Sequence, residues 1–411
     1  MYEPEKAPAE PEKEKPKPGH PAKHKDEGEA PDTALPGGPT EGGGGKRVDI
    51  IPKATVPLKI KEDQPGPVDS IRRILTEEVI GQERAIEAIC RALIRNYAGF
   101  RNPYKPIAVM YFAGPTGVGK TETARALARA LHGDYRKMIK VDCSEYSEPH
   151  AISRLIGSPP GYVGSDLPVI FSKEAVEGKP NTIVLFDEIE KAHFRLHNLL
   201  LQIMDEGRLT LARRTKDDDG IVDFTNTIPI MTSNVGAPEI DRLMKEQRIG
   251  FKHQTVSMDK ADQDIYETVK EAMKRAFTPE FRNRITDFIV FRALNREALY
   301  KILQKLLNIS ATRFAHLGFQ VQLTQAARDW LVDRGLDLEM GVRPLVKAVE
   351  RYIETKLAEH LGYGNIKPGD FIVADVAFDA QHDEDRIVFR RAKRVGKAKK
   401  PSKTEITVER Y

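Results

Sequence analysis

Residues 107–121 read Ile107-Ala108-Val109-Met110-Tyr111-Phe112-Ala113 and then Gly114-Pro115-Thr116-Gly117-Val118-Gly119-Lys120-Thr121. The first part is continuously apolar, which is typical of a strand covered on both faces of a parallel sheet. The second part is a loop whose glycines let the backbone curl so that successive N–H groups point inward. Residues 122–131 then have the pattern of a helix. This order of strand, loop and helix predicts a loop that wraps a phosphate group.

The loop carries the side chains that a nucleoside triphosphate needs. Its N–H groups and the positive N-terminal end of the following helix favour a bulky anion. Lys120 can reach the β- and γ-phosphates, and the Thr121 hydroxyl can ligate Mg²⁺. The alternative is a plain glycine turn, which requires neither a strand before it nor a helix after it. The sequence therefore predicts a Walker A loop with ATP and Mg²⁺ as cofactors.

An acidic pair ends a second apolar run, Ile183-Val184-Leu185-Phe186-Asp187-Glu188. In this position Asp187 would hold the magnesium ion through water, and Glu188 would polarise the water that attacks the γ-phosphate. Acidic residues at a strand end can also be simple caps. The phosphate-binding loop earlier in the chain is what favours a catalytic role for this pair. Together the two motifs, Walker A and Walker B, predict an enzyme that hydrolyses ATP.

Further apolar runs alternate with helical or loop segments in this part of the chain. The additional strand candidates are residues 137–141, 182–186 and 227–231, and residues 83–97 have helical spacing. Alternating strands and helices predict an α/β fold with a doubly wound parallel sheet.

Composition divides the chain into four parts. Residues 1–66 are rich in Pro, Gly, Lys and Glu and too poor in apolar side chains to offset their ordering entropy, which predicts a disordered arm. Residues 67–291 form the predicted large ATPase domain. Residues 292–391 form the predicted small, mostly helical α+β domain, with amphipathic helices first and short strands last. Residues 392–411 are basic, and such a run is usually a solvated tail.

Bulk properties narrow the functional class. A net charge of +4 over 411 residues gives no reason to propose nucleic acid as the substrate. Cys90 and Cys143 lack the spacing of a zinc site or of a disulfide framework. We find no apolar run long enough to cross a membrane, and the first residues lack the apolar core of a secretion signal. The sequence therefore predicts a cytoplasmic protein.

Four further motifs follow in an order that resembles one family. They are Leu185-Phe186-Asp187-Glu188-Ile189-Glu190-Lys191-Ala192-His193, Thr232-Ser233-Asn234-Val235-Gly236, Phe277-Thr278-Pro279-Glu280-Phe281-Arg282-Asn283-Arg284 and Gly341-Val342-Arg343-Pro344-Leu345. With the loop, they closely resemble the AAA+ unfoldases of the Clp group. The resemblance runs from about Ile80 to Leu361 and is specific to the second ATPase module of ClpA, ClpB and ClpC. It implies an ATP-driven ring that unfolds proteins, built here from a single ATPase module.

The resemblance implies roles for residues outside the loop. Asn234 corresponds to the sensor that positions water near the γ-phosphate, whereas the residues alone also allow a turn-forming Asn. Arg343 corresponds to a second sensor that couples the small domain to the phosphates, and the family more often has Ala where Val342 stands. Val79 and Ile80 correspond to the segment that lines the adenine pocket.

Arg284 corresponds to the arginine finger, which reaches into the nucleotide site of a neighbouring subunit. Positive charge supplied from outside a site can stabilise the phosphoryl group during transfer. Arg282 lies two residues earlier, and the sequence leaves open which of the two arginines acts in trans. A finger that acts in trans requires a ring, and the family implies a homo-hexamer.

The segment Gly161-Tyr162-Val163-Gly164 indicates what such a ring acts on. Flanking glycines let a loop project Tyr162 into open space, and in the Clp group the matching tyrosine lines the axial channel and grips an extended polypeptide. Aromatic contact tolerates any sequence, which suits a machine that pulls many chains. The alternative is a turn with an exposed Tyr. The resemblance implies unfolded or tagged polypeptides as substrates.

The tripeptide Ile249-Gly250-Phe251 indicates a partner. In ClpA and ClpX, loops at this place carry such a tripeptide and dock into hydrophobic clefts on the ClpP peptidase ring, whereas ClpB lacks it. Exposed Ile and Phe on a polar loop are costly unless a partner covers them, although they could also pack on the module's own surface. We expect delivery to a ClpP-type peptidase. One alternative is a stand-alone chaperone or disaggregase. Another is a motor that acts on nucleic acid, although Tyr162 favours a polypeptide substrate.

Overall fold

The computed structural model describes residues 66–158, 168–212, 219–240, 242, 258–335, 340–379 and 384–392. Within these ranges the strands are β1 (Met110–Ala113), β2 (Ile139–Asp142), β3 (Thr182–Asp187), β4 (Arg208–Thr210), β5 (Ile221–Asp223), β6 (Thr227–Ser233), β7 (Asp287–Val290), β8 (Gln320–Leu323), β9 (Phe371–Asp379) and β10 (Glu384–Ala392). The α-helices there are α1 (Pro67–Glu78), α2 (Glu83–Tyr97), α3 (Lys120–His132), α4 (Ser153–Ile156), α5 (Lys173–Glu177), α6 (Phe194–Glu206), α7 (Met258–Ala276), α8 (Pro279–Asn283), α9 (Arg296–His316), α10 (Gln325–Gly335), α11 (Arg343–Val349) and α12 (Thr355–Gly362).

The central sheet brings the predicted motifs to one edge. Its strand order is β2-β3-β6-β1-β7, and every neighbouring pair is parallel. β1 lies between β6 and β7, with Met110 opposite both Ile230 and Asp287. Because the carboxyl ends of parallel strands meet at the same edge, the loop after β1, the acidic pair at the end of β3 and Asn234 after β6 lie along that edge.

Both faces of this sheet are buried. The side chains of Met110 and Phe112 belong to a hydrophobic cluster with α1, α2 and α3, whereas Tyr111 belongs to a second cluster with α6 and α7. All residues of β1 are buried. This two-sided burial is the reason why the strand is continuously apolar and does not alternate. The predicted doubly wound parallel sheet is confirmed.

A third hydrophobic cluster forms the C-terminal part. Leu303 of α9, Leu331 of α10, Leu345 of α11 and Ala374 of β9 are among its buried members. The sheet there has the order β10-β9-β8, with β9 antiparallel to β10 and parallel to β8. A π-helical stretch, Glu350–Glu354, joins α11 to α12. The predicted helical domain with a small sheet is confirmed.

Several elements differ from the prediction. β8 and the short antiparallel pair β4–β5 were not predicted, and neither was β7 at the edge of the central sheet. These strands are too short to show an alternation of their own, since each has four residues or fewer. Their pairing partners stabilise them, as is common for edge strands.

The predicted arm and tail lie almost entirely outside the described residues, which begin at residue 66 and end at residue 392. The boundaries of the four predicted parts therefore stay predictions. Among the helices that the structure describes, none combines the length and the apolar character needed to cross a membrane.

Candidate nucleotide-binding site

The loop after β1 depends on glycine and touches the C-terminal part directly. Gly114, Gly117 and Gly119 have φ values of 144°, 71° and 104°, a region that residues with a Cβ rarely occupy. A Cβ on Gly117 would lie 2.2 Å from the carbonyl oxygen of Met340. The carbonyl oxygen of Gly117 also accepts the N–H of Val342 at 3.0 Å. The loop and the segment that leads into α11 are therefore in backbone contact.

Lys120 holds the centre of the loop. Its Nζ donates to the carbonyl oxygens of Gly114 and Pro115, each at 2.7 Å, and to Oδ1 of Asn234 at 2.9 Å. Burial lowers the pKa of Lys120 to about 8, although the carboxylates of Glu190 and Asp187 oppose this shift. The ammonium group is thus confined beside the helix N-terminus, where a phosphate would meet both positive features.

Asp187 is an ionised anchor below the loop. Its Oδ1 accepts the hydroxyls of Thr121 at 2.8 Å and Thr232 at 2.6 Å, and its Oδ2 pairs with Nζ of Lys140 at 3.0 Å. Burial alone would raise the pKa of Asp187, but these hydrogen bonds outweigh it and lower the pKa below the usual value. The carboxylate therefore remains charged and fixes the hydroxyl of Thr121, the predicted metal ligand.

Glu188 has an unusual backbone. Its φ of 58° is left-handed, and its N–H donates to Oγ1 of Thr232 at 3.0 Å. The carboxylate pairs with Nζ of Lys191 at 2.5 Å. A left-handed non-glycine residue is strained and persists only where its surroundings enforce it, which is common at active sites. Glu188 follows the last residue of β3 and is one of the residues that line the cleft.

Asn234 links the two halves of the site. Its Oδ1 accepts the hydrogen bond from Lys120, and its Nδ2 lies 3.5 Å from Oε1 of Glu188, at the outer limit of a hydrogen bond. Its own N–H donates to Oε1 of Glu190 at 3.0 Å, which fixes the turn after β6. The amide therefore stands between the phosphate-binding lysine and the acidic pair.

These groups line a cleft of about 260 Å³ that also reaches the C-terminal part. Arg343, the first residue of α11, lines it together with Val342. Of the described residues, Val79 and Ile80 are not part of this lining. Val79 is buried with α1 and α2, and Ile80 packs on the cluster of the C-terminal part. Their predicted contact with adenine stays a prediction.

Arg284 lies apart from this cleft. Its Nη2 pairs with Oδ2 of Asp205 at 2.9 Å, close to the C-terminal end of α6. Lys105 pairs with the other oxygen of Asp205 at 3.2 Å. Arg282 is partly buried, and its Nε has no hydrogen-bond partner among the described residues. The structure therefore brings Asn234 and Arg343 to the cleft of the same chain and leaves Arg284 outside it.

Comparisons with known proteins identify the family. Residues 105–288 match the family described as AAA domain (Cdc48 subfamily), and residues 294–374 match the C-terminal, D2-small domain, of ClpB protein. The negative regulator of genetic competence ClpC/MecB of Bacillus subtilis is 44% identical over 319 residues, which are 77% of this chain and 38% of that protein. The chain belongs to the Clp group of AAA+ ATPases.

Further Clp relatives agree with this assignment. The ATP-dependent Clp protease ATP-binding subunit ClpC of Staphylococcus aureus is 42% identical over 354 residues, 84% of this chain and 40% of that protein. A closed-state cryo-EM reconstruction of Hsp104 with ATPγS and FITC casein has a TM-score of 0.65 and 33% identity, covering 80% of this chain and 53% of that one. The chain thus spans about 40% of the length of these curated relatives.

Two groups of predicted residues belong to segments that the structure does not describe. Gly161, Tyr162, Val163 and Gly164 lie outside the described residues, and so do Ile249, Gly250 and Phe251. The pore-loop and peptidase-docking assignments of this Clp chain therefore stay predictions.

Three residues that shape the site were missed as contacts. Lys140 reaches Asp187 from the neighbouring strand β2, and Thr232 reaches it from β6. Gln82 is buried and bonds to both the loop and Arg292. The polar residues within otherwise apolar strands could have indicated Lys140 and Thr232, but the pairing of β3 with β2 and β6 was needed to bring them to Asp187.

Proposed function

We propose that this chain is an ATP-dependent protein unfoldase and translocase that works as a homo-hexameric ring. The observation that carries the proposal is the position of Asn234, whose amide contacts Lys120 on one side and approaches Glu188 on the other. A phosphate-binding lysine, an orienting amide and a carboxylate in one cleft favour hydrolysis over nucleotide binding alone. Membership of the Clp group supplies the inference that this hydrolysis moves polypeptide.

The loop and Lys120 bind the triphosphate in this proposal. Thr121 would ligate Mg²⁺ directly, and Asp187 would hold it through water. Hydroxyl, carboxylate and water oxygens are the ligands that Mg²⁺ prefers. Because Thr121 donates its proton to Asp187, its lone pairs point away and stay available to the ion. When bound, Mg²⁺ neutralises charge on the β- and γ-phosphates.

Glu188 is the proposed general base. Its side chain is 28% exposed and lines the cleft, so a water molecule there can reach it. The amide of Asn234 would orient that water, while Glu188 accepts its proton as it attacks the γ-phosphate. Arg343 would add positive charge from the C-terminal part. Through this contact the orientation of the C-terminal part would depend on whether ATP or ADP is bound.

Assembly into a ring is supported by the position of Arg284. Since this arginine is not part of the lining of its own chain's cleft, we propose that it serves the cleft of a neighbouring subunit. Lys105, which shares Asp205 with Arg284, follows Tyr104, and the side chains of Phe100 and Tyr104 in this segment are 86% and 72% exposed. A Cβ on Gly207 would lie 2.7 Å from the carbonyl oxygen of Tyr104, so this aromatic segment lies against the end of α6. Exposed aromatic side chains favour coverage by another subunit.

A polypeptide load and a peptidase partner are supported by the relatives. The reconstruction of Hsp104 contains casein, a protein substrate, and the Staphylococcus aureus relative is named as the ATP-binding subunit of a protease. We propose that Tyr162 grips the polypeptide in the axial channel. We further propose that Ile249-Gly250-Phe251 docks on a ClpP-type peptidase. A cytoplasmic location stays a prediction.

Degradation of a tagged folded protein tests the proposal. We expect loss of the substrate only when the chain, ATP and a ClpP-type peptidase are all present. Phe251→Ala should abolish degradation and leave ATP hydrolysis in place, whereas the control Phe378→Ala, which removes a 62% exposed Phe of β9, should degrade normally. Unaltered degradation by Phe251→Ala contradicts the docking proposal.

Two other results would point to the alternatives. ATP-dependent unfolding that never leads to degradation would indicate a stand-alone chaperone. Salt-sensitive DNA binding that depends on residues 390–403 would indicate a nucleic-acid motor.

A further inference from the structure

Asp205 joins two cations at the surface that carries Arg284. One carboxylate oxygen, Oδ2, accepts from Nη2 of Arg284 at 2.9 Å, and the other, Oδ1, accepts from Nζ of Lys105 at 3.2 Å. The three residues come from different parts of the chain: the segment before β1, the last turn of α6 and the residue that follows α8. A long-range contact of this kind requires that the fold bring all three together.

The backbone of Arg284 is already fixed, but its side chain depends on Asp205. Thr278 caps α8 by accepting the N–H of Phe281, and Phe281 is buried and stacked on Phe277 with ring centroids 5.1 Å apart. These contacts anchor the residue that precedes the finger by three positions. The long side chain of Arg284 itself is about one third exposed, and its ion pair with Asp205 restricts the rotamers that it can adopt.

The charges of the three residues suit a role towards phosphate. These two cations and one carboxylate together have a net charge of +1, because Lys105 offsets the charge of Asp205. A guanidinium has five N–H donors. The contact with Asp205 is made by Nη2, so Nε and Nη1 can donate to an incoming phosphate oxygen. Exposed ion pairs contribute little to stability, so fold stability alone does not account for the arrangement.

We propose that Asp205 is a positioning residue for Arg284, with Lys105 as its counter-cation. The carboxylate holds the guanidinium in the orientation in which it meets the γ-phosphate bound by the neighbouring subunit. This inference rests on the proposed function, since it assumes that Arg284 acts in trans. It adds that the efficiency of each nucleotide site depends on a carboxylate of the subunit next to it.

Mixed rings separate the donor of the finger from the site that it serves. Subunits with Arg284→Ala keep a complete cleft but have no finger, whereas subunits with Glu188→Gln keep the finger but cannot hydrolyse ATP. Mixing the two should restore hydrolysis at the Arg284→Ala sites. Adding Asp205→Asn to the Glu188→Gln subunits should reduce the restored kcat per assembled ring roughly tenfold and leave KM for ATP unchanged, since misplacement affects the transition state.

Controls keep the result specific. Asp205→Glu in the same donor should recover part of the rate, because the carboxylate is retained. Asp333→Asn is the matched control: Asp333 pairs with Arg296 at 2.6 Å, and both side chains are at least half exposed. We expect it to leave the restored rate unchanged. Lys105→Met in the donor should reduce the rate less than Asp205→Asn does.

The outcomes separate the trans role of Arg284 from the positioning role of Asp205. If mixing restores no hydrolysis even without Asp205→Asn, the trans role of Arg284 fails and the proposed function must be revised. If mixing restores hydrolysis and Asp205→Asn leaves kcat unchanged, the positioning role of Asp205 is wrong. It is also wrong if Asp205→Asn acts only by lowering the fraction of assembled rings, measured by light scattering.

Discussion

Gln82 ties three parts of the nucleotide site together, and its replacement by alanine is a stringent perturbation. The side chain is 3% exposed and lies just before α2. Its Nε2 donates to the carbonyl oxygens of Val118 at 3.1 Å and Arg292 at 2.9 Å, and its Oε1 accepts the N–H of Arg292 at 3.1 Å. The amide thus connects the N-terminal helices, the phosphate-binding loop and the segment that enters the C-terminal part.

The expected loss of free energy of unfolding follows from these three hydrogen bonds. At about 1 kcal/mol for each bond, Gln82→Ala should lower the free energy of unfolding by about 3 kcal/mol. The carbonyl oxygen of Val118 also loses its amide donor, so the loop should become less well ordered. We therefore expect a higher KM for ATP together with the loss of stability.

Urea unfolding measures this effect with a convenient probe. Trp330 is the only tryptophan of the chain, and it packs edge-on against Tyr352 with ring centroids 4.9 Å apart, so its fluorescence should report the loss of the C-terminal core. Circular dichroism reports the whole chain. Gln304→Ala is the control, because the exposed amide of Gln304 bonds only on the surface of α9 and α10 and should contribute less than about 0.5 kcal/mol. A loss below about 1 kcal/mol for Gln82→Ala, or equal losses for the two variants, would show that these hydrogen bonds do not stabilise the site.

Three further predictions concern the cleft and the pore. Raising the pH through 8 should weaken nucleotide binding, because burial lowers the pKa of Lys120 to about 8 and the neutral amine attracts phosphate less. Calorimetry above that pH should show proton uptake on nucleotide binding. Equal affinity for nucleotide at pH 7 and pH 9 would contradict this prediction. Thr232→Val should raise the Mg²⁺ concentration needed for half-maximal nucleotide binding about tenfold, because the hydroxyl of Thr232 donates to Asp187. The surface control Thr312→Val should leave that concentration unchanged. Equal Mg²⁺ requirements for the two variants would contradict the role of Thr232. Tyr162→Ala should keep ATP hydrolysis and stop the unfolding of a tagged substrate; unchanged unfolding rejects the proposed grip.

The parts of the fold that could be predicted from the sequence are those with local causes. The apolar run before Gly114 predicts a strand covered on both faces, and β1 is buried throughout. The amphipathic spacing of residues 295–317 likewise predicts a long helix, and the structure has α9 there. Asn295 caps this helix by accepting the N–H of Ala298 at 2.8 Å. Glycine requirements and capping depend on neighbours in the chain, so a single sequence contains the information.

The missed contacts depend on distant parts of the chain. Gln82 and Arg292 are 210 positions apart, and no sequence pattern near either residue predicts their hydrogen bonds. Lys140 and Thr232 contact Asp187 only because β2 and β6 flank β3 in the sheet. The pair of Asp205 and Arg284 likewise needs the end of α6 to lie beside α8. Strand order and helix packing are tertiary properties, which explains why the motif residues were predicted and their supporting partners were not.

The proposed function requires that ATP hydrolysis at this cleft drive the unfolding of proteins. Its most direct test is the native fluorescence of a folded fluorescent protein that carries an unstructured tag, followed after addition of the assembled chain and nucleotide. We predict that fluorescence falls with ATP, and that it persists with a non-hydrolysable analogue or with the Glu188→Gln variant. Equal loss of fluorescence with the analogue, or none with ATP while ATP is being hydrolysed, would contradict the claim.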